Sequence, residues 1–366
     1  MERQTNLEKL VMFETLRNTY KDKRVFLTGH TGFKGSWLLL ILKELGAVVK
    51  GYSLAPKHDR DLYIQIKGDE LCQSVIADVR DADRLRSELL DFQPDFVFHF
   101  AAQALVIDSY KDPLFTYETN VTGTANVLEA LRFLEKQCSS VLITTDKVYE
   151  NKEIDYAYKE TDELGGFDPY SNSKACAELV ISSYRRSFFS PKTYTEHLQA
   201  VASARSGNVI GGGDWSENRI VPDIVRSLES SEKLIVRNPN AVRPWQHVLD
   251  PLNAYLWLGH KMRTEGADFF EAFNFGPELE DKLSVQELVE TALESWGSGE
   301  FEICENPDAV HEAGLLMLDI EKAKSKLGWS PKYRAKQAIH ETIDWYKNAG
   351  KEQRAYSLKQ IKNFYS

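Results

Sequence analysis

The chain of 366 residues is 42% hydrophobic and 27% charged, enough apolar content to bury a large core in one large domain or two interleaved ones. A formal net charge of −10 argues against a general nucleic-acid or membrane-surface role, while leaving room for a local basic pocket that holds an anion. Four scattered cysteines without metal-ligand spacing (Cys72, Cys138, Cys176, Cys304), no leader-like opening and no apolar run of membrane-spanning length set the expectation of a reduced, cytoplasmic protein with no metal centre.

Residues 1–22 are polar with a weak helical pattern (Leu10, Met12, Phe13, Leu16) and are expected to form a surface helix or loose extension without chemistry. Val25-Phe26-Leu27 then reads as a buried strand that breaks into Thr28-Gly29-His30-Thr31-Gly32-Phe33-Lys34-Gly35 before Leu38-Leu39-Leu40-Ile41-Leu42 resumes as a helix. In such a strand, turn and helix, Gly29 permits the turn, Gly32 lets backbone N–H groups approach a pyrophosphate, and Gly35 lets the helix pack closely on the strand. Thr31 and Phe33 belong to the same turn, and the anion sits on the positive end of the helix. Gly46 ends the helix and a second strand follows at 48–52. A dinucleotide site usually offers an acid here, about 20 residues past the glycines, for the adenosine ribose. Ser53 stands there instead, so residue chemistry leaves NAD and NADP open.

A third strand at 74–77 ends in Asp78 and Val79, where the acid suits an adenine amino group or caps the helix running from Asp83 to Phe92. The fourth, at 96–100, runs into Ala101, Ala102 and Gln103, small residues at the first two positions that either admit a cofactor closely or simply pack well. Asn120, in Asn120-Val121-Thr122-Gly123-Thr124, opens another helix, and a fifth strand at 141–144 delivers Thr145, Asp146 and Lys147 at its end. Strands alternating with helices predict a doubly wound, Rossmann-type α/β fold with a parallel sheet, whose ligands bind beyond the carboxyl ends of the strands.

Tyr170 and Lys174, four apart on one helical face, carry the strongest chemical signal. The ammonium is expected to stabilise a tyrosinate and to reach a cofactor ribose, so that the phenol takes a proton from an alcohol as hydride leaves for nicotinamide. The same spacing on an amphipathic helix also describes a solvated pair; its place after a strand carrying Thr145 favours the chemical reading. Further on, Val201–Arg205 reads as a strand returning to the sheet and 271–275 as another. Arg219 and Arg243 are candidate pyrophosphate clamps or surface ion pairs, with Pro244 and Trp245 favouring Arg243. The stretch from Ser284 to about Leu327 is expected to be helical, and the tail from about 332 is helical with no chemistry assigned.

Taken together, the glycine turn, Asn120, Thr145 and the Tyr170/Lys174 pair resemble the extended short-chain dehydrogenase/reductase family of nucleotide-sugar enzymes. Four motifs, Gly29–Trp37, Asp168–Lys174, Gly211–Trp215 and Arg243–Val248, are most similar to its 4,6-dehydratases acting on CDP-glucose. The resemblance implies an N-terminal extension (1–22), an NAD-binding domain (23–206) with the two returning strands, and an interleaved sugar-nucleotide lobe (207–366). It implies tightly bound NAD regenerated each turn, CDP-glucose as substrate, and Asn208 near the substrate phosphates. Thr145 would bond the 4-oxygen and Asp146 would protonate the departing 6-hydroxyl. Lys147 stands where relatives acting on other nucleotides carry a carboxylate; it either takes the C5 proton or only pairs with Asp146. A homodimer through helices at about 105–135 and 170–190 is implied as well. A 4-epimerase, a dehydratase for a dTDP, GDP or UDP sugar, and a non-catalytic dinucleotide sensor are the other readings. An epimerase has no need of Asp146-Lys147, and a sensor has no need of Thr145, Tyr170 and Lys174 together.

Overall fold

The computed structural model describes residues 2–304, 315–350 and 352–366, with side chains from residue 11 onward. The main elements in chain order are α1 (Glu2–Tyr20), β1 (Arg24–Thr28), α2 (Phe33–Glu44), β2 (Val48–Ser53), β3 (Gln73–Ile76), α3 (Ala82–Phe92) and β4 (Phe96–His99). They continue as α4 (Gly123–Leu131), β5 (Cys138–Ile143), α5 (Pro169–Ser187), β6 (Gln199–Arg205), α6 (Ile220–Ser230), α7 (Leu249–Thr264), β7 (Ala272–Asn274), α8 (Val285–Trp296), α9 (Ala335–Asn348) and α10 (Gln353–Tyr365).

The strands form one seven-stranded parallel sheet in the order β7-β6-β5-β4-β1-β2-β3. β4 and β5 are buried along their whole length, as strands covered by helices on both faces must be. α2 explains how one face is covered. Its residues Gly35 to Leu42 are all buried, so this helix is apolar all round and lies between the sheet and an outer layer. That layer includes α1 and α10, while α7 packs beside α2 directly on β5 and β6.

Of the two expectations for the N-terminus, a surface helix or a loose extension, the loose extension is corrected here. α1 is docked: Leu16 and Tyr20 are fully buried, the Tyr20 hydroxyl donates to the Leu256 carbonyl at 2.7 Å, and Phe13 lies 4.8 Å from Tyr365 ring to ring. Of the polar residues that masked this in the sequence, Glu14, Arg17 and Asn18 lie on the exposed face of the helix.

The chain between β6 and β7 and after β7 builds a smaller apolar cluster, with Val221, Ile224 and Val225 of α6, Leu288 and Val289 of α8 and Ile339 and Ile343 of α9. Three short two-stranded pairings stitch it, among them Val242–Arg243 against Leu283–Ser284 and Gln246–His247 against Val209–Ile210. Of the stretch expected to be helical after Ser284, residues 305–314 lie outside the described residues. The tail carries more than bulk: Tyr346 donates to the Asp214 carbonyl at 2.6 Å, while the Trp37 indole of α2 donates to the Gly212 carbonyl at 2.9 Å. The loop over 211–214 is thereby held between the two lobes.

Candidate active site

The glycine turn, Asp78, Ala101–Gln103 and Thr145–Lys147 leave the carboxyl edge of the sheet, where parallel strands leave their ligand crevice, and the helix α5 brings Tyr170 and Lys174 beside the last of them. At the end of β1, Gly29 has φ +73°, and a Cβ there would stand 2.7 Å from the Ala101 amide nitrogen after β4. A Cβ on Gly35 would fall 2.0 Å from the Gly29 carbonyl oxygen, so the first turn of α2 closes on the loop only because both positions are glycine. Gly35→Ala is expected to cost about 1–3 kcal/mol through forced backbone shifts; urea denaturation measures it, and an unchanged midpoint would refute the contact. Gly32 is the N-cap of α2 and is exposed, leaving N–H groups at a helix N-terminus open to a diphosphate. This cradle fits a dinucleotide. No acid stands at the end of β2: the Ser53 hydroxyl bonds Thr31 Oγ1 at 2.9 Å, and Thr31 also donates to the Leu54 carbonyl at 2.8 Å.

Of the two roles open to Asp78, helix capping falls away. Asp81 caps α3 by accepting from the Arg84 amide, whereas Asp78 is clasped by Arg80, from its Nε at 3.0 Å and its Nη2 at 2.8 Å. Val79 is buried against Gly123 at the start of α4. Asn120 is a staple: its Oδ1 accepts from the Gln103 amide at 2.9 Å, and its Nδ2 donates to the Gln103 carbonyl at 2.9 Å and to Ser173 Oγ at 2.8 Å. It ties the loop of Ala101, Ala102 and Gln103 to α5 between Tyr170 and Lys174.

Past β5 the chain makes one short turn, capped by Thr145, that presents Asp146 and Lys147. Asp146 is fully buried and accepts from Thr145 Oγ1 at 2.8 Å and Asn208 Nδ2 at 3.1 Å, while Lys147 Nζ stands 3.6 Å away, half-buried at the cleft. Gly207 is needed beside it, since a Cβ there would overlap the carboxylate at 2.0 Å. Asp168 caps α5, accepting from the Ser171 amide at 3.0 Å, and so fixes the helix that carries Tyr170 and Lys174.

The expected depression of the Tyr170 phenol is corrected by the surroundings. Burial pushes it up to about 12, a hydrogen bond with Thr145 and the Arg219 charge opposing, and Asp146 adding to the rise. Lys174 is turned away, donating to the Ile143 carbonyl at 3.1 Å; burial lowers it to about 8, against the pull of Glu178 one turn on. Glu178 itself is a residue the sequence reading missed. Its buried carboxylate accepts from Thr144 at 2.5 Å, Ser203 at 2.8 Å and Arg205 at 2.9 Å. Burial alone would raise its pKa, but Arg205 and these hydrogen bonds hold it below the ordinary value.

Among the substrate candidates, Asn208 is brought to Asp146, in a left-handed backbone conformation at φ 52°. Arg219 pairs with Asp214 at 2.9 Å and keeps about a third of its side chain exposed, within electrostatic reach of Tyr170. Arg243 is half-buried with Nη1 on the Val242 carbonyl at 3.2 Å. Lys34, also missed, lies in the first turn of α2 with no ion pair or side-chain hydrogen bond among the described residues, in a field made by Arg219, Lys174, Asp146 and Asp214. Among the described residues no cluster of side chains suits a metal ion, and no helix is long and apolar enough to cross a membrane.

A tyrosine and a lysine on successive turns of one helix, facing a threonine at a strand end and a glycine turn that fits a dinucleotide, is the arrangement of short-chain dehydrogenase/reductases. Within that class the chain belongs to the extended family of nucleotide-sugar dehydratases and epimerases: residues 26–342 match the family model described as GDP-mannose 4,6 dehydratase. It is 44% identical over 352 residues to a CDP-glucose 4,6-dehydratase of Salmonella typhimurium, covering 96% of this chain and 98% of that one. It is 26% identical to dTDP-glucose 4,6-dehydratase 1 of Escherichia coli, over 88% and 92% of the two chains. A dTDP-glucose 4,6-dehydratase from Streptomyces venezuelae, solved with NAD bound, superposes with a TM-score of 0.76 at 25% identity, covering 89% of this chain and 98% of that one.

Proposed function

We propose that the protein is a CDP-glucose 4,6-dehydratase, working with NAD in the cytoplasm to convert CDP-glucose into CDP-4-keto-6-deoxyglucose and water. The observation that carries the reading is the Thr145-Asp146-Lys147 turn beside Tyr170 and Lys174, an elimination pair next to an oxidation pair. The 44% identity to the Salmonella enzyme supports the choice of nucleotide.

The glycine turn, Asp78, Val79, Ala101, Ala102, Gln103, Asn120 and Lys174 would hold NAD, which when bound accepts a hydride from C4 and later returns it to C6. Tyr170 takes the proton of the 4-hydroxyl, drawn to do so by the positive charge of Arg219. The ketone acidifies C5–H, and Lys147, at the cleft, removes that proton. Asp146 hands a proton to the 6-hydroxyl, which leaves as water. Lys147 then returns its proton to C5 as C6 is reduced. Thr145 touches both the phenol and Asp146, so the proton taken at O4 can pass back to Asp146, and the count of protons closes on one water. Asn208, Arg219 and Arg243 hold the sugar nucleotide.

The active unit is a homodimer: Tyr110, Leu114, Phe133, Leu179 and Phe188 leave apolar side chains exposed along the two segments expected to pair. The test is incubation with CDP-glucose and trace NAD, following the alkali-induced absorbance of a 4-keto-6-deoxy sugar against UDP-, GDP- and dTDP-sugar controls. Product from CDP-glucose alone is expected; CDP-galactose without keto sugar would make the protein an epimerase.

A further inference from the structure

The glycine turn supplies backbone donors and a helix end, and its one charged side chain, Lys34, is unused by the reaction above. Its position is unusual for a lysine. It lies in the first turn of α2, whose next eight residues are all buried, and it is flanked by Phe33, whose ring approaches the Gly211 backbone of the opposite lobe. Lys34 is itself half-buried, at the seam between the dinucleotide turn and the loop that carries Asp214 and Arg219. The two carboxylates in its surroundings are already engaged: Asp214 by Arg219 at 2.9 Å and by Ser216 at 2.7 Å, Asp146 by Thr145 and Asn208. Among the described residues Lys34 has neither an ion-pair nor a hydrogen-bond partner. A half-buried ammonium without a counter-ion, beside two further cations, is an arrangement that an incoming anion completes.

We propose that Lys34 is a diphosphate-binding residue, its ammonium pairing with a phosphate of a nucleotide held between the glycine turn and the Arg219 loop. The inference rests on the nucleotide-sugar reading given above and adds a residue to it. Two diphosphates meet at this seam, that of the dinucleotide and that of the sugar nucleotide, and the chemistry Lys34 recognises is common to both.

A consequence separates this residue from an ordinary surface lysine. Without ligand, burial lowers Lys34 to about 7, with the Arg219 and Lys174 charges adding to the effect and Asp146 and Asp214 opposing it. A phosphate placed against it favours the charged form, so nucleotide binding in mildly alkaline solution takes up a proton at this side chain.

Isothermal titration of the full chain with NAD, and of the NAD-loaded chain with CDP, in two buffers of different ionisation enthalpy at about pH 8, counts that proton. Proton uptake is expected in the arm whose diphosphate meets Lys34. Lys34→Met is expected to abolish it and to weaken binding in that arm by about tenfold or more, as the loss of a charge-assisted bond should, leaving the other arm unchanged. Lys34→Arg, whose guanidinium stays charged, is expected to keep the affinity and lose the uptake. Equal uptake and equal affinity in wild type and Lys34→Met would overturn the assignment. So would weakening in both variants alike, which marks a packing defect. A wild-type protein that binds with proton uptake yet forms no keto sugar would fell the proposed reaction and leave the lysine assignment standing.

Discussion

Lys147→Met is expected to leave a protein that oxidises CDP-glucose once and then stops. Mixed with stoichiometric substrate, it should develop the near-ultraviolet absorbance of reduced nicotinamide, while turnover to keto sugar falls by about 10²–10⁴, the usual range for loss of a positioned general base. The two halves come apart because they use different side chains. Tyr170 and Lys174 sit on α5, and Lys147 on the turn after β5, its amine 3.6 Å from Asp146. The outcome also decides between the two roles left open for Lys147. A residue that merely pairs with Asp146 would, when removed, slow the reaction modestly and evenly; full turnover in Lys147→Met would dispose of the base assignment.

Arg205→Met should be the most damaging single change away from the reacting atoms. Arg205 and Glu178 are each at most 5% exposed as side chains, and removing one partner of such a pair leaves a charge buried without compensation, at a cost of about 3–5 kcal/mol. Arg205 Nη1 also donates to Tyr149 at 2.8 Å, whose hydroxyl donates in turn to Asn274 at 2.6 Å, so β5, β6 and β7 lose a shared anchor. Urea denaturation of wild type and variant reads the loss, and a change below about 1 kcal/mol would show that the carboxylate finds water instead. The pair gives a pH sign as well. Glu178 is held below its ordinary value of 4.5, so its contribution is complete above that pH and drains away as the pH falls through the lowered native value. The wild type therefore carries an acid-sensitive element that Glu178→Gln should blunt.

The sheet was legible because its central strands carry unbroken apolar stretches, Val25–Leu27 in β1, Phe96–Phe98 in β4 and Val141–Ile143 in β5, and a parallel sheet buried on both faces needs no finer pattern. The catalytic segments were legible because strand ends gather ligands: Thr145, Asp146 and Lys147 after β5 meet α5, as the order of elements required. Contacts between distant parts of the chain were not. The docking of α1 depends on Leu256 and Tyr365, far away in sequence, and polar residues on its outer face hid the buried stripe. Asp78 stood open between an adenine contact and a helix cap until Asp81 was seen to cap α3 and Arg80 to clasp Asp78. Two signals were present and unread. Glu178 continues the four-residue spacing of Tyr170 and Lys174, and Arg205 ends a strand otherwise made of small and apolar residues. The direction in which Lys174 points followed from neither spacing nor composition; it depends on the Ile143 carbonyl lying within reach.

The docking of α1 bears on how the chain is made. Residues 11–20 find their seat on α7 and α10, so during synthesis this segment must wait, exposed, while more than two hundred residues leave the ribosome. β1 to β5 can pair in the meantime, because each meets its neighbours early. Although α1 is made before the sheet, it is thus among the last elements to be placed, and a nascent chain stalled before α7 presents Leu16 to whatever chaperone is at hand.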